Sequence, residues 1–400
     1  MKAYKLLSAC AASLLFASAA FGYEAKAKVT MEGNIIKQTH EAGKDATFSF
    51  LNLDPVTDKS KNGISVDVDG GITGAHFELF YVIDGANKAE DGWKVSARKT
   101  HLWFTPVDAL KFRIGYVGDD SFFCERVDEE KVGNPFSAEW RKSGLVPEYI
   151  TNADVDEMGF SLAVTPIDGL TVSGAIAPGI GKTGISSEED SKYAQWGVTA
   201  KYDINENVQV QASFRDNGKD SWKVARFGLG YKTENLLAFF QPVLGFDNVK
   251  YKKKGTPADS KDEKDFYYES EMRGIAFDMY GDYKIDEWKF TAHLPLTIRT
   301  EGKDGDSSYI EPLVMVSYNL GIVALLDDFT PYLKVESFEN PWLFDEMGDT
   351  MNMNIQPGVT FKAGNLEVDL GISVQLHSAE EISGSSKCTF AIPFTASMKF

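Results

Sequence analysis

Cysteine is scarce in this sequence, and positive charge is outnumbered. The 400 residues include 3 cysteines, and 41 lysines and arginines stand against 59 aspartates and glutamates, which gives a formal net charge of −18. So few cysteines exclude a small disulfide-stapled scaffold. The acidic balance excludes an ordinary nucleic-acid binder, whose footprint is a basic patch. Because 43% of the residues are hydrophobic and 12% are aromatic, the chain is too apolar to be disordered.

Long hydrophobic runs are also absent beyond the N-terminus. After residue 22 no segment reaches the roughly 18 consecutive apolar residues that a membrane helix needs. The mean hydropathy of −0.24 is that of a water-soluble protein. It excludes a helical membrane protein but not a transmembrane β-barrel, because a barrel strand needs an apolar residue only at every second position.

The first 22 residues form a unit of their own. Lys2 and Lys5 precede an uncharged apolar stretch, Leu6–Phe21, which is the pattern of a secretory signal peptide. We predict a signal peptide over residues 1–22 and a mature chain over residues 23–400. Lipoprotein processing at Cys10 is an alternative, but it leaves too few apolar residues before the cut. The chain is therefore expected to be exported.

Apolar and polar residues alternate along most of the mature chain. In Trp288–Ile298 and in Leu366–Leu376, every even position is apolar and the odd positions are mostly polar. Alternation of this kind predicts β-strands with one apolar face. Segments this long match the 9–11 residues, approximately, of a tilted strand that crosses a membrane.

Short and long connections alternate between these segments. Tight turns rich in Asp, Gly, Asn and Pro are followed by long polar stretches, among which Asp119–Glu157 is the longest. This rhythm describes a barrel with short periplasmic turns and long extracellular loops. We predict an all-β fold, a single antiparallel transmembrane β-barrel of about 16–18 strands. Ala46–Leu53 and the Leu320–Phe329 connection are the segments whose assignment to strand or loop stays open.

The C-terminal strand carries the most specific pattern. Its outward positions include Phe390, Ile392, Phe394, Met398 and Phe400. An aromatic residue that ends an amphipathic strand resembles the assembly signal of outer-membrane β-barrel proteins of double-membrane bacteria. The resemblance implies an outer-membrane location, recognition by the barrel-assembly machinery and escort by periplasmic chaperones. A secreted soluble β-protein is the alternative. Pro393 cannot donate a ladder hydrogen bond, so we expect a bulge beside it.

The resemblance to porins implies that the functional residues are charges in the lumen. By alternation the inward candidates are Lys111, Arg113, Arg215, Lys289, Arg299, Glu367 and Asp369. Basic and acidic groups on facing walls would create a transverse field that selects small polar solutes. Each of them can equally be a plain solvated residue. Asp119–Glu157 either folds into the pore as a constriction or remains an extracellular loop.

Aromatic residues near predicted strand ends indicate girdles at the membrane boundaries. The candidates are Trp103, Phe104, Tyr202, Tyr231, Tyr283 and Tyr318.

No arrangement of residues indicates catalysis, a cofactor or a metal site. The 5 histidines are scattered without metal-ligand spacing. His293 lies on a well-patterned strand, but no serine with a supporting motif accompanies it, which argues against an outer-membrane hydrolase. Cys124 and Cys388 both fall on the predicted extracellular side. A disulfide between them and two separate thiols are both open.

The sequence therefore predicts an outer-membrane porin for passive diffusion of small hydrophilic solutes. Its partners would be membrane lipid and those solutes, with no nucleic acid and with homo-oligomers left open. The acidic loops predict a mild preference for cations. The alternative is a surface adhesin or antigen whose barrel only displays loops, since polar loops occupy so much of the chain.

Overall fold

The described part of the chain is almost entirely β-strand. The computed structural model describes residues 24–39, 47–52, 63–82, 94–117, 158–177, 195–216, 223–257, 260–299, 309–310, 312–338, 340–341, 352–376 and 388–400. Within these segments the one helix is a single turn, Glu263–Asp265. None of the described helical structure is long and apolar enough to cross a membrane.

The strands form one antiparallel sheet that closes into an 18-stranded barrel. Four strands are each interrupted once and consist of two segments. The strands are β1 Glu24–Thr39, β2 Thr47–Asn52 with Gly63–Asp69, β3 Thr73–Val82, β4 Lys94–Val107, β5 Leu110–Tyr116, β6 Met158–Ile167, β7 Leu170–Ala177, β8 Gln195–Asp203, β9 Val208–Asp216, β10 Lys223–Lys232, β11 Leu236–Lys252, β12 Phe266–Ile285, β13 Trp288–Arg299, β14 Tyr309–Ile310 with Leu313–Tyr318, β15 Asp327–Phe338 with Asn340–Pro341, β16 Asn352–Ala363, β17 Leu366–Gly371 with Ser373–Leu376, and β18 Cys388–Lys399.

The barrel closes by pairing β18 with β1. The backbone N–H of Phe400 donates to the carbonyl oxygen of Ala27 at 2.8 Å, and the N–H of Ala27 donates back at 3.2 Å. The ladder then continues from Lys28 opposite Lys399. An antiparallel barrel with an even number of strands brings both of these strand ends to the same rim, as the predicted topology requires.

The two faces of the barrel wall are inverted relative to a soluble protein. Arg226, Gln241 and Asn354 are completely buried, whereas Phe227 and Leu229 on the opposite face are about half exposed, at 50% and 51%. Polar side chains therefore point into the barrel and apolar ones point outward. This distribution suits a wall with lipid outside, and barrels of 16–18 strands enclose an aqueous channel.

The short turns lie at the rim that contains Ala27 and Phe400. Two-residue turns connect β4 to β5, β6 to β7, β12 to β13 and β16 to β17. The other connections at this rim span three or four residues, except the one between β14 and β15, which covers Asn319–Leu326. The predicted alternation of short and long connections is thus confirmed for the turns, and we refer to this rim as the periplasmic rim.

The two segments that the sequence left open are now assigned. Thr47–Asn52 is a strand that pairs with the C-terminal part of β1, from Asn34 to Thr39. Of the Leu320–Phe329 connection, Leu320–Leu326 forms a turn with an isolated bridge between Val323 and Leu326, and the remainder belongs to β15. With these assignments, the strand number is the higher of the two predicted.

The expected irregularity beside Pro393 is present on both neighbouring strands. On β1 the register shifts between Asn34 and Ile36, directly opposite Pro393. On β17 the pairing with β18 breaks between Leu370 and Ser373. Proline lacks the N–H that would bond to one of the two neighbours, which accounts for an irregular ladder on one side of this residue.

Residues 1–23, which include the predicted signal peptide, lie outside the described residues, as do Asp119–Glu157 and Cys124. The cleavage therefore stays a prediction. The choice between a constriction and an extracellular loop, and that between a disulfide and two separate thiols, stay open.

Candidate pore lining

Five of the eight buried charged side chains in the described residues lie in two sectors of the inner wall. Arg113 on β5, Arg215 on β9 and Arg226 on β10 form a basic sector, with exposures of 9%, 5% and 0%. Asp278 and Asp282 on β12, two strands further along the ring, form an acidic sector, with exposures of 2% and 8%. A buried charge needs polar partners or water, because an isolated one is costly to desolvate. The inner face is therefore built for a polar interior.

Arg113 and Arg215 are thus on the buried face, where alternation assigned them. Arg215 on β9 and Asp369 on β17 lie eight positions apart on the ring of 18 strands, and so on opposite walls. The ring thus places Arg215 and Asp369 on facing sides of the barrel, whereas Lys289 and Arg299 on β13 lie only four strands from β17. Their contribution to a field across the lumen stays a prediction.

Lys111 lies at the periplasmic end of β5, beside an aromatic ring. Its Nζ lies 5.3 Å from the centroid of the Trp103 ring, which is within the range of a cation–π contact. The same ring covers Gly74 on β3 so closely that a Cβ at this glycine would lie 2.3 Å from it. Trp103 therefore faces inward, and its assignment to the outer girdle was wrong. Phe104, the next residue on β4, points outward, because consecutive strand residues point to opposite faces.

Lys289 forms an ion pair with a carboxylate of the acidic sector. Its Nζ lies 2.9 Å from Oδ2 of Asp282, and the hydroxyl of Thr291 donates to Oδ1 of the same carboxylate at 2.8 Å. Four residues earlier on β12, Oδ1 of Asp278 lies 2.5 Å from Nε2 of His293. These contacts fix both carboxylates in position on β12. Lys289 is consequently a partner of Asp282, and its role as a charge of the lumen stays a prediction.

The acidic candidates on β17 have partners on the neighbouring strands. Nζ of Lys399 lies 3.9 Å from Glu367, where both side chains are half exposed. The hydroxyl of Tyr332 donates to Oδ1 of Asp369 at 2.8 Å and accepts from Nε2 of Gln356 at 3.0 Å. Asp369 is therefore part of a hydrogen-bonded network on β15, β16 and β17.

The remaining candidate of the predicted lining is Arg299. Its backbone pairs with Gly274 of β12 at the end of β13. Its side chain lies outside what the structure describes, so its role stays a prediction.

Several buried charges were missed by the sequence reading. They are Lys37, Arg226, Asp278, Asp282, Lys334 and Glu336. The alternation contained the signal, because Arg226 precedes the outward series Phe227, Leu229 and Tyr231. Lys334 and Glu336 are paired at 3.4 Å between Nζ and Oε2, with side-chain exposures of 2% and 9%. Mixed polar and charged residues at these positions made the inward face less conspicuous than the outward one.

The predicted assembly residues lie on the outward face of β18. Phe400 is 61% exposed and Met398 is 37% exposed, while Phe390, Ile392 and Phe394 are partly exposed. Their side chains alternate with the buried Ala391 and Pro393. Recognition of this face by an assembly machinery stays a prediction.

The described residues contain no group of three or more histidines, cysteines, aspartates or glutamates placed to hold a metal ion.

No protein-family model matches the chain, and a search of curated protein sequences finds no match. The fold does have counterparts among solved structures. Acinetobacter baumannii OccAB1 superposes with a TM-score of 0.54 at 11% identity, covering 94% of this chain and 96% of that one. A BenF-like porin from Pseudomonas fluorescens Pf-5 gives 0.55 at 12% identity, with coverages of 94% and 98%.

Pseudomonas aeruginosa OpdK, solved with vanillate, gives a TM-score of 0.53 at 10% identity and covers 94% of this chain and 98% of that one. The chain has the fold of an outer-membrane porin. This confirms the predicted architecture, because the likeness extends over nearly the whole length of each barrel. At such low identity, the superposition assigns no functional residues of those porins to positions in this chain.

Proposed function

We propose that this protein is an outer-membrane porin that lets small hydrophilic solutes diffuse passively through its lumen. The observation that carries the proposal is the inverted wall, with Arg226 and Gln241 fully buried and Phe227 and Leu229 half exposed. A polar interior inside an apolar exterior is the arrangement that water-filled barrels need in lipid. The solved porins of the same fold support the same conclusion.

The two charged sectors are the proposed source of solute selectivity. Fixed charges in a low-dielectric wall raise the local concentration of counter-ions and orient polar solutes. The buried arginines of β5, β9 and β10 would guide anionic groups, and the carboxylates of β12 would guide cationic groups. A mild overall preference for cations is proposed from the net charge of −18 and the acidic loops.

The central experiment is electrical. Purified, refolded protein in planar bilayers should give discrete conductance steps, and liposomes that contain it should swell in solutions of small sugars. Absence of both from protein that shows heat-modifiable migration on a gel would refute a porin function. The zero-current potential in a salt gradient reports the preferred ion, and an anion preference would reject only the argument from net charge.

A charge-neutralising pair tests whether the basic sector lines the path. Arg113→Gln with Arg215→Gln should move the zero-current potential toward that of a more cation-selective pore, because two positive charges leave the inner wall. Lys232→Gln removes one charge at an exposed position on the same face, by the β10–β11 turn, and as the control should cause less than half the shift of the double variant. A shift of half or more in Lys232→Gln would mean that the arginines are no more on the path than this exposed lysine.

The adhesin alternative rests on Asp119–Glu157, which lies outside the described residues. Deletion of this stretch separates the two functions. A constriction loop would change conductance when removed, whereas an adhesin would lose binding to its ligand with conductance unchanged.

A further inference from the structure

The connection between β14 and β15 differs from every other described turn at the periplasmic rim. It spans eight residues, 319–326, where its counterparts span two to four. The seven residues Leu320–Leu326 contain no polar side chain. Five of them are exposed: Leu320 at 51%, Ile322 at 77%, Val323 at 39%, Leu325 at 91%, and Ala324 between the last two.

This segment is an ordered β-hairpin. The N–H of Leu320 donates to the carbonyl of Phe329 at 2.9 Å, and Val323 and Leu326 exchange backbone hydrogen bonds at 2.9 and 3.0 Å. Ala324 at the tip has a φ of 59°, a value typical of tight hairpin turns. We call Leu320–Leu326 the apolar hairpin. Its cross-strand hydrogen bonds lower the cost of moving its backbone out of water.

The base of the apolar hairpin departs from a straight ladder. The register of β15 against β16 shifts between Asp327 and Thr330. Gly321 and Asp328 both have positive φ, at 67° and 50°, and the two legs are joined there by a hydrogen bond from Phe329 to the Gly321 carbonyl at 3.0 Å. Bulges bend the strand that carries them. The apolar hairpin is therefore not a straight continuation of β14 and β15.

The distribution of apolar side chains decides which surroundings suit the hairpin. A groove on a partner protein covers one face of a hairpin and leaves the other in water. Here both faces are apolar, because Ile322 and Val323 are adjacent in the chain and both exposed, as are Ala324 and Leu325. Lipid surrounds an inserted segment on all sides, so it satisfies both faces at once.

The hairpin is also continuous with the lipid-facing surface of the barrel. Trp288 and Tyr318, at its base, pack against each other with their rings tilted and their centroids 4.8 Å apart, and Tyr283 and Trp288 are 46% and 45% exposed. Aromatic rings of this kind gather at membrane boundaries. On the other leg, the half-exposed ion pair between Lys362 and Asp328, at 2.9 Å, shows where the surface becomes polar.

We propose that the apolar hairpin inserts into the periplasmic leaflet of the outer membrane and anchors the β14–β15 sector of the rim there. The proposal rests on the proposed membrane location of the barrel and adds a lipid contact beyond its wall. The anchor would hold this part of the rim in contact with the leaflet, where the other described turns consist mainly of polar residues.

Spin labels measure the surroundings of the tip directly. In a background with Cys124→Ser and Cys388→Ser, a nitroxide is attached to Leu325→Cys or, separately, to Ile322→Cys. Leu229→Cys on the outward face of β10 is the lipid control, and Glu234→Cys in the β10–β11 turn is the water control. The proteins are refolded into dioleoylphosphatidylcholine vesicles, and heat-modifiable migration on a gel verifies the fold of each before measurement.

Collision rates with oxygen, which concentrates in lipid, and with a water-soluble nickel chelate distinguish the outcomes. The proposal expects the oxygen-to-nickel ratio at positions 325 and 322 to shift away from that at position 234 and approach that at position 229. A nickel-rich signal at 325 with an oxygen-rich signal at 229 overturns the anchor but not the porin. Low collision rates with both reagents at 325 indicate packing against protein and also overturn it. A nickel-rich signal at 229 overturns the membrane location itself.

Discussion

Replacing Tyr332 with phenylalanine would remove one hydroxyl from the inner wall and, with it, two hydrogen bonds. That hydroxyl donates to Asp369 on β17 at 2.8 Å and accepts from Gln356 on β16 at 3.0 Å. The ring lies over Gly358, where a Cβ would come within 2.3 Å of it. Phenylalanine keeps the ring in this space, so the substitution tests the hydrogen bonds alone.

The expected loss in the free energy of unfolding is the sum of the contributions of two hydrogen bonds, one to a carboxylate and one to an amide. Hydrogen bonds to charged groups contribute approximately 1.5–3 kcal/mol and neutral ones approximately 0.5–1.5 kcal/mol. Tyr332→Phe should therefore lower the free energy of unfolding by about 2–4 kcal/mol. The lower end applies when water in the lumen reaches Asp369 after the hydroxyl is gone.

Urea unfolding of the protein in lipid vesicles is the assay. Tyr231→Phe is the matched control, because this tyrosine lies on the outward face of β10 and is 42% exposed. The control should change the free energy of unfolding by about 0.5 kcal/mol or less, as exposed substitutions usually do. A change of the same size in both variants would refute the assigned network.

Gly358→Ala gives an independent check. Its new methyl group would displace the Tyr332 ring and lose the same bonds. In a Tyr332→Ala background the glycine substitution should cost less, because the clash with the ring is gone and only the approach of 2.8 Å to the Leu370 carbonyl oxygen remains. Additive losses in this double-mutant cycle would contradict the contact.

Three other outcomes are expected. Lys334→Met should lower the free energy of unfolding by about 3–5 kcal/mol, since it strands a buried Glu336, and adding Glu336→Leu should restore much of the loss in urea unfolding. Gly159→Ala should abolish heat-modifiable migration, because its Cβ would lie 2.1 Å from a backbone oxygen, whereas Gly174→Ala, with its nearest contact at 3.9 Å, should fold. Phe400→Ser should reduce outer-membrane yield in cells while leaving refolded protein nearly as stable, and an equal loss of stability would assign the residue a structural role instead.

The barrel was predictable because its main signal is local. Alternation along Trp288–Ile298 or Leu366–Leu376 follows from the period of the strand, and it assigns the apolar and polar residues to opposite faces of the sheet. Turn residues mark the short connections in the same local way. Ala46–Leu53 stayed open because a short strand in a polar region has too few alternations to stand out.

Errors and omissions in the inner wall have a common origin. Trp103 and Phe104 were both assigned to the girdle by their position near a strand end, although consecutive residues face opposite sides. Arg226 was missed because glycines at positions 228 and 230 leave its face with few side chains to read. The connection after Tyr318 was ambiguous because an apolar hairpin has no polar face to reveal its period.

The sequence by itself determined the strands, their two faces and the rim to which each turn belongs, since each depends on residues close together in the chain. Only the tertiary structure decided which polar and charged side chains contact one another. Tyr332 and Asp369 are 37 positions apart in sequence, and Lys362 and Asp328 are 34 apart. Such contacts depend on the register between strands and on the closure of β18 against β1, and neither is encoded in the alternation of any single strand.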